Sequence, residues 1–277
     1  MDQSAEPSEH THRLRPAPPA GVDPTVPSVA RVYDALLGGK DNFAVDRDIA
    51  DKLMKLTPGG VDVGLFNRAV LGRGVRYMVS QGIDQFIDLG TGIPTSPNVH
   101  EVAQQIHPGA RVVYVDNDPI VMAHNRALRA RRPGVLTLQA DMRQPKTIME
   151  DEQVLQHLDF DRPIGLLFVA VLHFVRRELA VEVVNQFRRS LPAGSYIGIS
   201  TASADGMDPA LIERLEQVYS QSPAPMVLRT SDQVEQLFEG VDLVDPGITD
   251  VTQWRNDGTP LPIRILSGVG KVRHPGR

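Results

Sequence analysis

The sequence predicts an α/β protein, doubly wound, with a mostly parallel sheet and helices on both faces. Three observations predict it. Short apolar runs recur along the chain, separated by longer helical patterns. Several of those runs are apolar almost throughout rather than alternating, as in strands buried on both faces. The stretches between them are long enough for the crossover helices that parallel strands require.

Taken in order, residues 1 to about 27 are rich in Pro, Ser, His and charge without periodicity, and read as a flexible tail. His10 and His12 are metal ligands by residue type, but the composition around them reads as solvated tail. From residue 28 to 277 there is no internal repeat and no second composition break, so one domain is expected. "RVYDALLGGKDNF" (31–43) reads as a helix ended by Gly38 and Gly39, followed by a dense polar loop. The strand candidates are "QFIDLG" (85–90), "ARVVYVD" (110–116), "VLTLQAD" (135–141), "IGLLFVAV" (164–171) and "SYIGIST" (195–201). "SPNVHEVAQQIH", "DPIVMAHNRALRARR" and "RELAVEVVNQFRRSL" supply helices between them. "VDLVDPGITDV" and "PIRILSGVGKV" read as two further strands, an antiparallel pair at one sheet edge.

Composition narrows the function. Of 277 residues 41% are hydrophobic, enough for a packed core, and no apolar run is long enough for a membrane span. The N-terminus has no apolar segment of the secretory type, and a cytoplasmic protein is expected. With no cysteine there is no disulfide framework, cysteine zinc site or thiol nucleophile. A net charge of −5 gives no general attraction to nucleic acid or anionic membrane, and neither is expected as a partner. The arginine run "RALRARRP" (126–133) reads as a solvated helix end, since cations favour a helix C-terminus and no aromatics interleave it.

The chemistry concentrates at "FIDLGTGIPTSPNVHEVAQ" (86–104). In open α/β sheets ligands bind beyond the carboxyl ends of the strands, and this stretch lies there. Gly90 and Gly92 let the backbone turn sharply and approach a ligand, with Thr91 between them. A plain strand-to-helix turn also uses glycine. Ser96 is a candidate N-cap and Pro97 a good first helical residue. The dinucleotide fingerprint needs a third glycine that is missing here. Instead Asp88 stands two residues before Gly90. A carboxylate there repels a pyrophosphate and suits a ligand carrying an ammonium group. That favours S-adenosylmethionine, which has an ammonium, a sulfonium and no phosphate.

Two further acids fit such a ligand. Asp116 ends the second strand, 24 residues after Gly92, where a carboxylate accepts ribose hydroxyls; Asn117 follows it. Asp141 ends the third strand and suits the adenine amine, with Met142 packing on the ring or offering its N–H. Strand-end aspartates also cap the next helix, and Asp118, followed by Pro119, reads as such a cap.

"DLGTGIPT", "VVYVDNDP", "ADMRQP" and "LLFVAVLHF" stand in the order and spacing of the class I S-adenosylmethionine-dependent methyltransferases. With "ARVYDALLGGKDNFAVDR" (30–47) and "NRAVLGRGVRYM" (67–78), the chain more closely resembles a bacterial methyltransferase family long catalogued as a domain of unknown function. The resemblance covers about residues 27 to 272. It departs from the general class at Pro94, where most members carry a third glycine.

The resemblance implies a Rossmann-like, seven-stranded sheet with one antiparallel strand and the cofactor over its central strands. Asp88 and Gly90 would lie near the methionine part, Asp116 at the ribose, Asp141 and Met142 around adenine. It also implies an N-terminal helical lid, about residues 28–80, in which Gly39 and Lys40 meet the cofactor and Tyr33 or Phe43 walls off the methyl group. A plain helix stop with a solvated loop is the other reading of that segment. His173, after the fourth strand, is a candidate general base and equally a structural histidine. No Asn-Pro-Pro-aromatic motif stands there, which argues against methylation of base or glutamine amides. Arg68, Arg73 and Arg76 make a solvated helix face, or one of them reaches an acidic group.

The expectation is methyl transfer to a small molecule. A non-catalytic sensor of the cofactor, a nicotinamide-dependent oxidoreductase and an interaction domain on a degenerate fold are the alternatives. No metal is expected, and the sequence leaves the acceptor and the oligomeric state open.

Overall fold

The computed structural model describes residues 22–128, 132–220, 222–261 and 263–273. His10, His12 and the centre of the arginine run lie outside the described residues. The five expected central strands form: β1 (Gln85–Leu89), β2 (Arg111–Asp116), β3 (Val135–Gln139), β4 (Gly165–Val169) and β5 (Tyr196–Ala202). They pair in parallel in the order β3-β2-β1-β4-β5. The chain runs outward from β1 to β3, then returns to lay β4 on the other side of β1. That reversal puts a crevice beyond the carboxyl ends of β1 and β4, the ligand site of open α/β sheets.

The C-terminal part differs from the expectation in detail. "VDLVDPGITDV" yields two short strands, β6 (Val241–Leu243) and β7 (Thr249–Asp250), because Pro246 and Gly247 interrupt it. The longer β8 (Ile265–Val272) inserts between β5 and β6, antiparallel to both, and β7 pairs with β8 as well. The sheet therefore has eight strands, the eighth a two-residue addition to the expected seven.

Every residue of β1 is buried, and alternate side chains feed opposite faces. Phe86 packs with Val75 and Met78 of α3 (Gly60–Ser80) and with Val99 and Val102 of α4 (Val99–Ile106). Ile87 and Leu89 face α8 (Arg177–Ser190), whose Ala180, Val183, Val184 and Phe187 make one buried stripe at helical spacing. α5 (Pro119–Leu128) covers β2 and β3, while α6 (Pro145–Met149) and α7 (Glu152–His157) close the α8 side. Helices thus lie on both faces, as expected.

A third apolar cluster stands apart from the sheet. α1 (Val29–Leu36) and α2 (Ala44–Leu56) pack with α9 (Pro209–Val218) through Val32, Ile49, Leu53, Leu215 and Tyr219. One buried ion pair organises its N-terminal part. Arg31 Nε meets Asp46 Oδ2 at 2.8 Å, and Asp46 also accepts the backbone N–H of Ser28 at 2.9 Å and of Phe43 at 2.8 Å. The short α10 (Ser231–Glu235) completes the chain before β6.

Candidate functional site

The turn after β1 is built by two glycines with different constraints. Both have positive φ, +67° at Gly90 and +64° at Gly92. A side chain at Gly90 would place its Cβ 2.3 Å from Val171 Cγ2, whereas the space at Gly92 is open. Gly90 is fixed by packing, and Gly92 keeps the backbone bare where it faces a cavity. The N–H groups of Gly90 and Thr91 continue the ladder to Val115 O at 2.9 and 3.2 Å. The N–H of Gly92 donates to Asp116 Oδ2 at 2.9 Å, and Asp118 N–H donates to Asp116 Oδ1 at 3.0 Å. Asp116 is buried, and burial pushes its carboxyl up to about 6 against the backbone hydrogen bonds that favour the charged form.

These groups open onto one cavity of about 600 Å³, within the size range of small-molecule sites. Asp88, Gly90, Thr91, Gly92, Asp116, Asn117, Asp141 and Met142 all line it, as do Tyr33 and His173. Strands, glycine turn and N-terminal helices therefore converge as the sequence suggests. Residues 22, 23, 26 and 27 line it too, so the expected tail boundary at 27 falls inside the cavity wall.

Gly39 and Lys40 are not brought in. Both are exposed and absent from the cavity wall. Asp34 curls their loop onto itself: its carboxylate accepts Asp41 N–H at 2.9 Å and Asn42 Nδ2 at 2.8 Å, and its carbonyl accepts Gly39 N–H at 2.8 Å. A Cβ at Gly39 would overlap that carboxylate, so the glycine serves the turn. Phe43 is also outside the cavity wall, with Arg31 over its ring at 4.9 Å. Tyr33 keeps its place: its hydroxyl donates to Gly64 O at 3.1 Å beside Asn67, and burial raises its pKa.

His173 sits in a single 3-10 turn, Leu172–Phe174, and is buried. Its Nδ1 accepts Ala202 N–H at 3.3 Å, which leaves the ring proton on Nε2. Burial and the nearby Arg229 push its pKa down to about 3. A neutral imidazole with its acceptor nitrogen occupied is a donor at this site, and the general-base reading loses its footing.

Asp141 is held by Arg143 in a two-pronged pair, with Nη2–Oδ2 at 2.6 Å and Nε–Oδ1 at 2.9 Å. Burial alone would raise its pKa, but the hydrogen bonds and charge of Arg143 bring it below the usual range. Asp118 caps α5 as expected, accepting Ile120 N–H at 2.8 Å, and it also accepts the Ser28 hydroxyl. That contact ties the N-terminal segment across the mouth of the site. The N-cap of α4 is Asn98 instead of Ser96: Glu101 Oε2 accepts Asn98 N–H at 2.7 Å, and the Ser96 hydroxyl joins it at 2.9 Å.

Three features escaped the sequence reading. Arg68 Nη2 donates to the carbonyls of Thr95 and Pro97, bracing the glycine loop, while Arg73 is spent on Val251 O and Trp254 O. Asn67 lines the cavity and accepts the Ser200 hydroxyl at 2.6 Å; Ser200 in turn accepts Ala170 N–H at 3.0 Å. Ala170 is held at φ +54°, in the left-handed region, where the chain leaves β4. Asn67 and Arg68 open the "NRAVLGRGVRYM" stretch, so their signal was present. The roof from α9 and residues 222–228 was marked only by Asp208-Pro209, a helix-start pair.

The donor set fits one kind of ligand. Asp88, Asp116 and Asp118 gather at the carboxyl ends of β1 and β2, and the cavity's Arg31, Arg68 and Arg143 are already engaged with protein acceptors. A pyrophosphate would meet fixed negative charge with no uncommitted cation among these, whereas a cationic, phosphate-free nucleoside finds acids and a bare glycine turn.

Comparison with known proteins agrees with this geometry. The S-adenosyl methyltransferase family profile matches residues 16–272, and the chain belongs to that family. It is a methyltransferase that uses S-adenosylmethionine, which sets aside the nicotinamide alternative. The crystal structure of a candidate methyltransferase from Thermobifida fusca YX is 40% identical, covers 93% of this chain and 99% of its own, and superposes with a TM-score of 0.86. A DUF574 family protein from Streptomyces avermitilis MA-4680 is 36% identical over 90% of this chain and 98% of its own, with a TM-score of 0.83. A search among curated proteins found no match. No helix among the described residues is long and apolar enough to cross a membrane.

Proposed function

We propose that the methyl group goes to a small-molecule acceptor bound in the same cavity, under the roof of α1, α2 and α9. The observation that carries this reading is the shape of the site. One cavity of about 600 Å³ runs from the acids of β1 and β2 to a helical roof, and the Ser28–Asp118 contact straps its mouth. A cavity of that volume takes a compact molecule.

Within it Asp88 pairs with the cofactor ammonium, Asp116 accepts the ribose hydroxyls with its remaining lone pairs, and Asp141 and Met142 frame adenine. Gly90, Thr91, Gly92 and Asn117 supply bare backbone and short side chains beside them. The bound cofactor supplies a methyl group already activated on a sulfonium. The chain's own work is to align acceptor and methyl in line and to exclude water, so positioning contributes most of the rate. Tyr33 and Asn67 form the polar edge between floor and roof. His173 donates through Nε2 and does not remove a proton.

The test is to incubate the protein with methyl-labelled cofactor and a cell extract separated into small molecules, proteins and nucleic acids. Label appearing in the small-molecule fraction is the expected result. Label confined to protein or nucleic acid contradicts the reading.

A further inference from the structure

The two ends of the cavity differ in chemistry. The floor is acidic, with Asp88 and Asp116. The roof is apolar: Leu36, Leu53, Leu215, Met226 and Leu228 belong to the third hydrophobic cluster. From Leu215 to Leu228 no described lining residue carries a charge. A carboxylate, phosphate or ammonium entering this end would leave water without gaining a partner, at a large cost.

Two polar side chains stand in that stretch, Ser222, whose hydroxyl accepts Ala224 N–H, and Tyr219. Tyr219 is 4% exposed and lines the cavity, its ring tilted against Phe174 at 5.2 Å. Burial raises its pKa with no hydrogen bond opposing it, and no described residue bonds its hydroxyl. Tyr33, by contrast, is satisfied by Gly64 O. Tyr219 lines the cavity, so a ligand group placed beside its hydroxyl gains a hydrogen-bond partner.

We infer that the acceptor is an uncharged, largely apolar molecule of about ring size that presents a hydroxyl or comparable group to Tyr219. The inference rests on the reading that the cofactor occupies the acidic floor, leaving the roof to the acceptor. Tyr219 is then a specificity residue: it selects among neutral molecules, and the stretch from Leu215 to Leu228, with no lining charge, rejects ions.

The test uses naphthol, its anionic counterpart naphthoate, and methylnaphthalene, titrated calorimetrically into protein with and without saturating S-adenosylhomocysteine. Naphthol should bind at least about ten-fold more tightly than naphthoate. Tyr219→Phe should weaken naphthol by roughly five-fold and leave methylnaphthalene unchanged, which a purely structural tyrosine would not do. Met226→Glu, at a partly exposed position and with a side chain of similar length, should weaken both neutral probes while S-adenosylhomocysteine binds as before. Naphthoate binding as well as naphthol overturns the inference. So does failure of all three probes to bind, or a Tyr219→Phe loss shared equally by naphthol and methylnaphthalene. Loss of S-adenosylhomocysteine binding would contradict the cofactor assignment instead, and the titrations on free protein would still judge the roof.

Discussion

The backbone N–H of Gly92 donates to Asp116 Oδ2 at 2.9 Å, tying the bare turn after β1 to the acid that ends β2. One carboxylate therefore shapes the loop and lines the cavity. Asp116→Ala should weaken binding of S-adenosylhomocysteine by about 1–3 kcal/mol, the cost of hydroxyls losing a buried acceptor. Calorimetry checks this, and an unchanged affinity would remove Asp116 from the ribose site.

The same carboxylate makes binding sensitive to acid. Its pKa in the fold is about 6, raised from 3.8, so its contribution to stability is full below 3.8 and lost as pH rises through about 6. Above that value it is a buried anion held by the Gly92 and Asp118 N–H groups, with lone pairs left for the ribose hydroxyls of the proposed site. Cofactor affinity should therefore hold above about pH 6 and fall below it, as the protonated carboxyl loses acceptor capacity. Titrations across that range read the effect, and Asp116→Ala should flatten it.

His173 has the opposite sign. Its folded pKa is depressed from 6.5 to about 3, so it stabilises the fold above 6.5 and this stability drains as pH falls towards 3. Melting temperature should drop from about pH 7 to about pH 5, and His173→Asn should lessen that drop. Cofactor affinity at neutral pH should stay within about two-fold, since the ring is anchored to Ala202 and not to the acids.

The two turn glycines should respond differently to alanine. Gly90→Ala adds left-handed strain to a clash with Val171 and should cost about 2–5 kcal/mol of stability. Gly92→Ala meets open space and should cost only about 1–2 kcal/mol, while weakening the cofactor. Denaturant unfolding separates the two, and equal losses would contradict the packing argument.

The N-terminal helices are organised around the Arg31–Asp46 pair, both groups nearly fully buried. Asp46→Ala strands the guanidinium and two backbone N–H groups, and should destabilise by about 3–5 kcal/mol. Faster proteolysis within residues 22–56 would accompany it. Wild-type resistance in the variant would mean that the pair does not hold the N-terminal helices.

The parallel strands were legible because burial on both faces leaves a mark in single-strand composition. Their order was less so. Nothing in "PIRILSGVGKV" says that β8 separates β5 from β6, because that pairing depends on partners far away in sequence. That Asp88, Asp116 and Asp141 share one cavity was legible from their places at strand ends. Lys40 was placed at the cofactor by the family resemblance; the Asp34 contacts that curl its loop onto itself are invisible without coordinates. His173 was ambiguous for a similar reason, since its lowered pKa comes from burial and from Arg229. Asn98 and Glu101 did carry a readable capping pair, which the more conspicuous Ser96-Pro97 obscured.

The most direct measurement is isothermal titration of the purified protein with S-adenosylmethionine, S-adenosylhomocysteine, NAD and NADP. The account predicts that the first two bind, with S-adenosylhomocysteine weakened by Asp116→Ala, and that neither dinucleotide does. Binding of a dinucleotide alone, or of nothing, would contradict it.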